Sequence, residues 1–285
     1  MTINSKNKNI PVIGLNEFIE QKTAGNNDLL YNLIQGEKHI DKPHKHDFFI
    51  IILFDEAQGY HNIDFIDYQI ENKQVHVLFP GQVHKWHIKP LSKGYQLMIN
   101  HVFFEHFSPY LRFSITNYIN HPVIALSNNS FDLLKYEFDC IKNEIESNNS
   151  LQDVIYARTS VIAAIISKEA ENKFKDAKVY QSNPRLAKFN ELIDLHFKEE
   201  KQIGFYAEKL HISSNYLNIL CKKNLDVSAT HLIQKRLILE AKRMLQSTEL
   251  TIKEIAFDLG FVDHAYFSNF FKNQTKLSPT QFRER

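Results

Sequence analysis

Along the first hundred residues the apolar positions fall in short runs separated by turn residues. After His101 they settle into the three-to-four spacing of helices. Phe48–Phe54 is an unbroken apolar run of strand length, the pattern of a strand covered on both faces. Tyr60–Ile66 alternates in part, Val75–Phe79 runs into a Pro80–Gly81 turn, and Tyr95–Ile99 gives another short strand. Short strands joined by Gly and Pro turns predict a small barrel or sandwich. In Phe131–Glu146, Leu134, Phe138, Ile141 and Ile145 share one helical face, and Leu151–Ala170 repeats the theme. These two helices are expected to pack together and against the strands. The polar stretch 172–184 reads as a linker, and beyond Pro184 the pattern is helical, opening with a Leu186, Phe189, Ile193, Phe197 stripe. The predicted fold class is α+β: a β-barrel with flanking helices over 1–171, then an all-α domain over 185–285.

The strongest signal in the helical part is an internal repeat. Ile203-Gly-Phe-Tyr-Ala207-Glu-Lys-Leu210 aligns with Ile252-Lys-Glu-Ile-Ala256-Phe-Asp-Leu259 at an offset of 49 residues. The pairs Tyr216/Tyr266, Leu217/Phe267, Leu220/Phe270 and Lys222/Lys272 align at 50, so the second turn holds one extra residue. Each copy is a short helix with a small Ala at its centre, a turn, and a second helix. A small residue lets two helices approach and a short turn sets their crossing, which is the logic of a helix-turn-helix. Gly260 suits the positive φ of such a turn. The first copy has His211 there, which means either some strain or a different turn. Thr251 with Glu254 forms a capping box, and Ser213 or Ser214, and Asp263, are N-cap candidates for the second helices. Ser228–Leu245 reads as one long helix, with Ile233, Leu237, Ala241, Met244 and Leu245 on a face, joining the two units. If both second helices enter the major groove on one side of a duplex, they sit about 34 Å apart.

Composition narrows the class. Apolar residues make up 43% of the 285 and charged residues 24%, as in a globular protein with a real core. The longest apolar run is too short for a membrane span, and the segment MTINSKNKNIPVIG lacks an apolar h-region, so neither membrane nor export is expected. Cys140 and Cys221 lie far apart, which argues against a disulfide framework or thiolate zinc site and fits the cytoplasm. The net charge of +1 hides an asymmetry: residues 1–181 carry 18 Lys/Arg against 21 Asp/Glu, and residues 182–285 carry 16 against 12. The basic end is where a polyanion docks.

The run Ala256-Phe-Asp-Leu-Gly-Phe-Val-Asp-His-Ala-Tyr-Phe-Ser-Asn-Phe-Phe-Lys-Asn, followed by Lys276-Leu-Ser-Pro-Thr-Gln-Phe-Arg283, resembles the C-terminal signature of the AraC/XylS family of regulators. The resemblance covers roughly residues 185–285. It implies a bacterial transcription regulator that binds double-stranded DNA, the second helix of each unit reading the major groove. The matching positions are Ser214, Asn215, Asn218 and Ile219 in the first copy and Asp263, His264, Ser268 and Asn269 in the second, with Lys222, Lys223 and Lys272 on phosphate. Asn pairs bidentately with adenine, Ser with several bases, and an aliphatic group touches the thymine methyl. Lysines supply the salt-dependent, sequence-neutral part. The resemblance further implies RNA polymerase as a partner and a homodimer, through Leu133, Leu134, Ile141 and Ile145 or through Val161, Ile162 and Ile165. No catalytic residue is assigned.

Ten of the fourteen histidines precede residue 182. Pro43-His44-Lys-His46-Asp47, Gly59-Tyr-His and Phe79-Pro-Gly-Gln-Val-His84-Lys-Trp86 resemble the cupin-like barrel often found in front of such DNA-binding domains, over roughly residues 25–100. One reading is a metal site, since His44 and His46 at spacing two share a strand face and His84 can join from a neighbour. The carboxylate that catalytic cupins carry just after the histidine pair is replaced by Phe48-Phe-Ile-Ile-Ile, so no metal or other cofactor is assigned. The other reading is a set of histidines that bond within the barrel or line a pocket for a small-molecule effector. Its candidate residues are His44, His46, Tyr60, His84 and Trp86, the last either stacking on a ligand or simply core. Three functions compete: an effector-modulated regulator, a regulator whose barrel only dimerises, and a metal-dependent cupin enzyme tethered to DNA.

Overall fold

The computed structural model describes residues 12–15, 24–25, 28–113, 115–173, 179–180 and 182–284. The chain divides into two compact units, residues 11–175 and residues 176–285, and the architecture is α+β as the patterning predicts. In the first unit the strands are β1 (Val12–Ile13), β2 (Ala24–Gly25), β3 (Leu29–Gln35), β4 (Lys38–His46), β5 (Phe49–Glu56), β6 (Gly59–Ile63), β7 (Ile66–Ile70), β8 (Gln74–Leu78), β9 (Val83–Ile88), β10 (Lys93–Ile99) and β11 (Val123–Ala125). They form two sheets, ordered β1-β4-β9-β6-β7 and β11-β8-β5-β10-β3-β2. The β1–β4 pairing is parallel and the other ladders are antiparallel.

The continuous apolar run explains its own place. Ile50, Ile52 and Phe54 of β5 join Phe48, Leu78, Trp86, Ile88 and Met98 in a core fed by both sheets. On the opposite face of β5, Phe49 stacks on Phe104 with ring centroids 3.6 Å apart. A strand covered on both sides needs no polar face, hence no alternation. Phe104 belongs to α1 (His101–Phe107), which is followed by α2 (Ile115–Asn120), α3 (Asn128–Glu146) and α4 (Gln152–Lys173). Asn100 and Ser127 cap α1 and α3, accepting from Phe103 N–H and Ser130 N–H; such caps contribute roughly 1 kcal/mol each.

Three expectations change here. Tyr60–Ile66 is not one strand, because Asp64 and Phe65 take positive φ of 48° and 70° and turn β6 into β7. Leu134, Ile141 and Ile162 lie in the unit's own core, which removes them as dimer contacts; Leu133 and Val161 are exposed. Helix α4 runs to Lys173, inside the expected linker, and of that segment residues 174–178 and 181 lie outside the described residues.

The second unit holds α5 (Pro184–His196), α6 (Ile203–Lys209), α7 (Ser214–Leu225), α8 (Ala229–Ser247), α9 (Ile252–Asp258), α10 (His264–Thr275) and α11 (Pro279–Arg283). The stripe Leu186, Phe189, Ile193, Phe197 is buried. Helix α8 touches α5, α7, α9, α10 and α11, so one rod organises both copies of the repeat. Its end is held by the last helix: Arg283 donates to the carbonyls of Leu245 (3.1 Å) and Leu250 (2.6 Å), and Gln246 donates to that of Phe282 (2.6 Å). No helix among the described residues is long and apolar enough to cross a membrane.

Candidate functional site

Strands β4 and β9 run side by side with His44 opposite His84. Side chains alternate along a strand, so His44 and His46 share the inner face with His84 and Trp86, and all four are buried. His46 Nε2 lies 2.9 Å from His84 Nε2, and one ring nitrogen from each of His44, His46 and His84 falls within 4.8 Å of the others. A row of hydrogen bonds leads away from His84. Its Nδ1 is 2.9 Å from His61 Nε2, His61 Nδ1 is 3.0 Å from His76 Nδ1, and His76 Nε2 is 3.2 Å from Gln74 Oε1. His61 is on β6 of one sheet and His76 on β8 of the other, so the row crosses the interior. Burial pushes His44, His61, His76 and His84 down, His76 to about 3, with neighbouring imidazoles lowering His61 and His84 further. The interior therefore holds neutral imidazoles. The Pro80–Gly81 turn is anchored beside them, Gly81 N–H donating to His46 O at 2.9 Å.

Of the five candidate ligand residues, four come together and Tyr60 does not. Its neighbour His61 takes the inward position, leaving Tyr60 on the outer face, stacked on His87 at 5.6 Å. Trp86 is core-like, 7% exposed, yet its buried indole N–H finds no acceptor among the described residues. His61 and His76 are the residues that sequence reading missed. The first adjoined the residue chosen from Gly59-Tyr-His; the second hides in the apolar strand Val75–Phe79.

The two helix-turn-helix copies share one turn. Leu210 N–H donates to Tyr206 O and Leu259 N–H to Ile255 O; Ile212 N–H donates to Ala207 O and Phe261 N–H to Ala256 O, each within 3.0 Å. His211 and Gly260 both adopt positive φ, 54° and 71°. The histidine thus takes the strained option rather than a different turn. The extra residue in the second turn is Val262, which is 94% exposed. Helix α7 starts on Ser213, whose side chain accepts from Tyr216 N–H, and α10 on Asp263, which accepts from Ala265 and Tyr266 N–H. Both end on a left-handed residue, Asp226 and Lys276. Leu217 and Cys221 anchor α7; Phe267 and Phe271 anchor α10.

Known proteins match this half in particular. The model of a helix-turn-helix domain matches residues 206–285. The arabinose operon regulatory protein of Salmonella typhimurium is 28% identical over 141 residues, covering 50% of this chain and 46% of that protein. The transcriptional activator RhaS of Mannheimia succiniciproducens is 22% identical over 272 residues, covering 87% of this chain and 91% of its own length. The helical unit of this chain is thus similar to the helix-turn-helix domains of AraC-type regulators. Among solved structures, the C-terminal domain of AraT, a response regulator from Geobacillus stearothermophilus, is 35% identical, covers 36% of this chain and 85% of its own, and has a TM-score of 0.35.

The outward faces of α7 and α10 can be assigned residue by residue. Asn215, Ile219, Lys222 and Lys223 are exposed on α7, and His264, Asn269 and Lys272 on α10. The remaining expected readers are hydrogen-bonded within the unit or half-buried. Asn218 is half-buried and accepts from Ala229 N–H at 3.1 Å; the Ser268 hydroxyl donates to His264 O at 2.8 Å. Asp263 spends both carboxylate oxygens on its cap, and Ser214 is half-buried in the first turn of α7. Two residues not chosen from sequence, Tyr216 and Tyr266, stand exposed at equivalent places. Their offset of 50 marked them as part of the repeat, but aromatic residues in a repeat read as core.

Proposed function

We propose that this protein is a sequence-specific, DNA-binding regulator of transcription, with α7 and α10 as its two reading helices and the barrel interior as the seat of a small-molecule effector. The observation that carries it is the pair of helices capped at both ends at an offset of 50, each presenting an exposed amide, a tyrosine and at least one lysine. An amide reads adenine and a lysine neutralises phosphate. Family kinship supports a homodimer and a contact with RNA polymerase in the cytoplasm. The polar interior walled by Trp86 and aliphatic residues supports the effector seat.

Selection from a random duplex pool tests this directly. One site is expected, bound with Kd of about 10 nM or tighter at physiological salt. Affinity should fall steeply with salt, by about 0.9 log unit per log unit for each phosphate contact. Equal affinity for every duplex sinks the proposal. A metabolite-induced melting shift of the full chain supports the effector seat; the absence of any response leaves the barrel as a dimerisation module only.

A further inference from the structure

We propose that Glu37, His39 and His87 hold one divalent transition-metal ion on the outer face of the β1-β4-β9-β6-β7 sheet. The site depends neither on the reading helices nor on the barrel interior.

Strand geometry brings the three together. His39 on β4 lies directly opposite His87 on β9. On β9 the residues to either side of His87, Trp86 and Ile88, point into the core. Successive side chains point to opposite faces, so His87 and its cross-strand partner His39 stand outside. Glu37, two residues before His39, falls on the same side, just after the positive-φ turn at Gly36. Its carboxylate Oε1 is 2.6 Å from His39 Nε2. The two imidazoles meet edge to face, with centroids 3.8 Å apart and planes at 78°. One ligand atom from each of the three residues lies within 4.8 Å of the others. On the other side of His87 stands Tyr60, its partner in register on β6. The two rings lie parallel, at 6° and 5.6 Å. Tyr60 is the candidate ligand residue that the fold leaves out of the interior, and here it holds the plane of a metal-binding ring. Packing does not account for the cluster. The Glu37 and His39 side chains are 51% and 37% exposed, so neither fills a core, and an exposed ion pair contributes little to stability.

Donor chemistry selects the ion. Two imidazoles and one carboxylate make an open zinc-type site, with a further position left to water. Ligand atoms in such a tetrahedral site stand about 3.3 Å apart. The Glu37–His39 contact therefore opens slightly from 2.6 Å while His87 closes in from within 4.8 Å. A carboxylate only accepts, so the proton between Glu37 and His39 sits on His39 Nε2. As the ion enters, that proton passes through solvent to Nδ1, and His39 binds through Nε2 as a neutral ligand. Glu37 supplies one negative charge against the two of the ion, and the exposed position lets water screen the remainder, so no uncompensated charge is buried. Imidazole donors favour zinc, copper or nickel over magnesium and calcium. Bound there, the ion ties the start of β4 to β9, ahead of the irregularity between Ile40 and His44, in a stretch with little apolar surface of its own to bury.

The test strips the full chain with a chelator and titrates it with Zn2+, followed by calorimetry, and with Co2+ as a coloured stand-in, followed by visible absorption. His44, His46 and His84 also lie close together inside the same unit, so the decisive number is the difference between variants and not the total uptake. His39→Ala and His87→Ala should each take up one ion fewer than the unaltered protein, with the circular dichroism spectrum retained. Glu37→Gln keeps the volume and removes the charge. A direct ligand costs at least what an outer partner of a ligand does, so this variant should bind the same ion about 10- to 100-fold more weakly. No uptake by the unaltered protein overturns the proposal, and so does equal uptake by the unaltered protein and His39→Ala. An unchanged dissociation constant in Glu37→Gln overturns the carboxylate's part, and displacement of the Co2+ by Mg2+ overturns ligation by imidazole. If His87→Ala fails to fold, His39→Ala and Glu37→Gln, both at exposed positions, decide between them.

Discussion

A β-carbon placed on Gly260 meets Lys198 O at 2.0 Å and Lys201 Nζ at 2.7 Å, while its φ of +71° disfavours any L side chain. Gly260→Ala should therefore cost at least about 2 kcal/mol, read as a fall in the urea midpoint. His211 occupies the equivalent corner of the first copy, and His211→Gly should stabilise by up to about 1 kcal/mol by relieving the left-handed strain. A loss of stability in that variant would mean the imidazole makes an interaction that outweighs its strain. His76 gives a pH prediction. Its ordinary value of 6.5 is lowered to about 3 by burial, so above 6.5 neither folded nor unfolded chain protonates it. Below 6.5 the unfolded chain takes up the proton and the folded chain does not. Stability should then fall between pH 6.5 and 3, by up to about 1.4 kcal/mol per pH unit for this group. Urea titrations in chelator at pH 7 and pH 5 check it, and a flat profile contradicts a neutral His76. At this scale the sequence was partly legible: the spacing of His44, His46 and His84 gave a shared face, but the inward turn of His61 over Tyr60 depends on strand register that alternation alone leaves open.

At the scale of elements, caps were the readable part. Thr251/Glu254 and Asp263 act as the sequence predicts, because a side-chain oxygen before an apolar-periodic run has few other uses. Strand β4 was readable only at its His44–His46 end. Lys38–His46 is polar and contains Pro43, and it is a strand only because β9 pairs with it on either side of an irregularity between Ile40 and His44. Helices α7 and α10 allow a separation of roles. Asn215→Ala and Asn269→Ala should each cost about 1–3 kcal/mol on the selected site and leave binding to unrelated duplexes unchanged. Lys272→Ala should weaken all duplexes alike and reduce the salt slope by about 0.9. Fluorescence anisotropy at three salt concentrations distinguishes the two patterns, and a uniform loss in the asparagine variants would remove them as readers.

For the whole molecule, two units with separate cores predict two calorimetric transitions in the full chain. The selected duplex should raise the transition of the helical unit and leave the other in place. A single transition moved by the duplex would show that the units unfold together. The division between strands and helices was legible because the apolar period changes near His101, and the helical half was legible twice over because it repeats. What the linker and the Leu133 and Val161 faces do depends on neighbours that a single chain's pattern does not encode.

The duplication is also imperfect, and the imperfection is informative. The two reading helices share caps and anchors, but one shows Asn215 and Ile219 where the other shows Ala265 and Asn269. Two words with different spellings, carried in fixed order on one polypeptide, make a phrase that cannot be read backwards. The DNA site of one such chain therefore has a heading, and inverting it in front of a gene creates a different instruction.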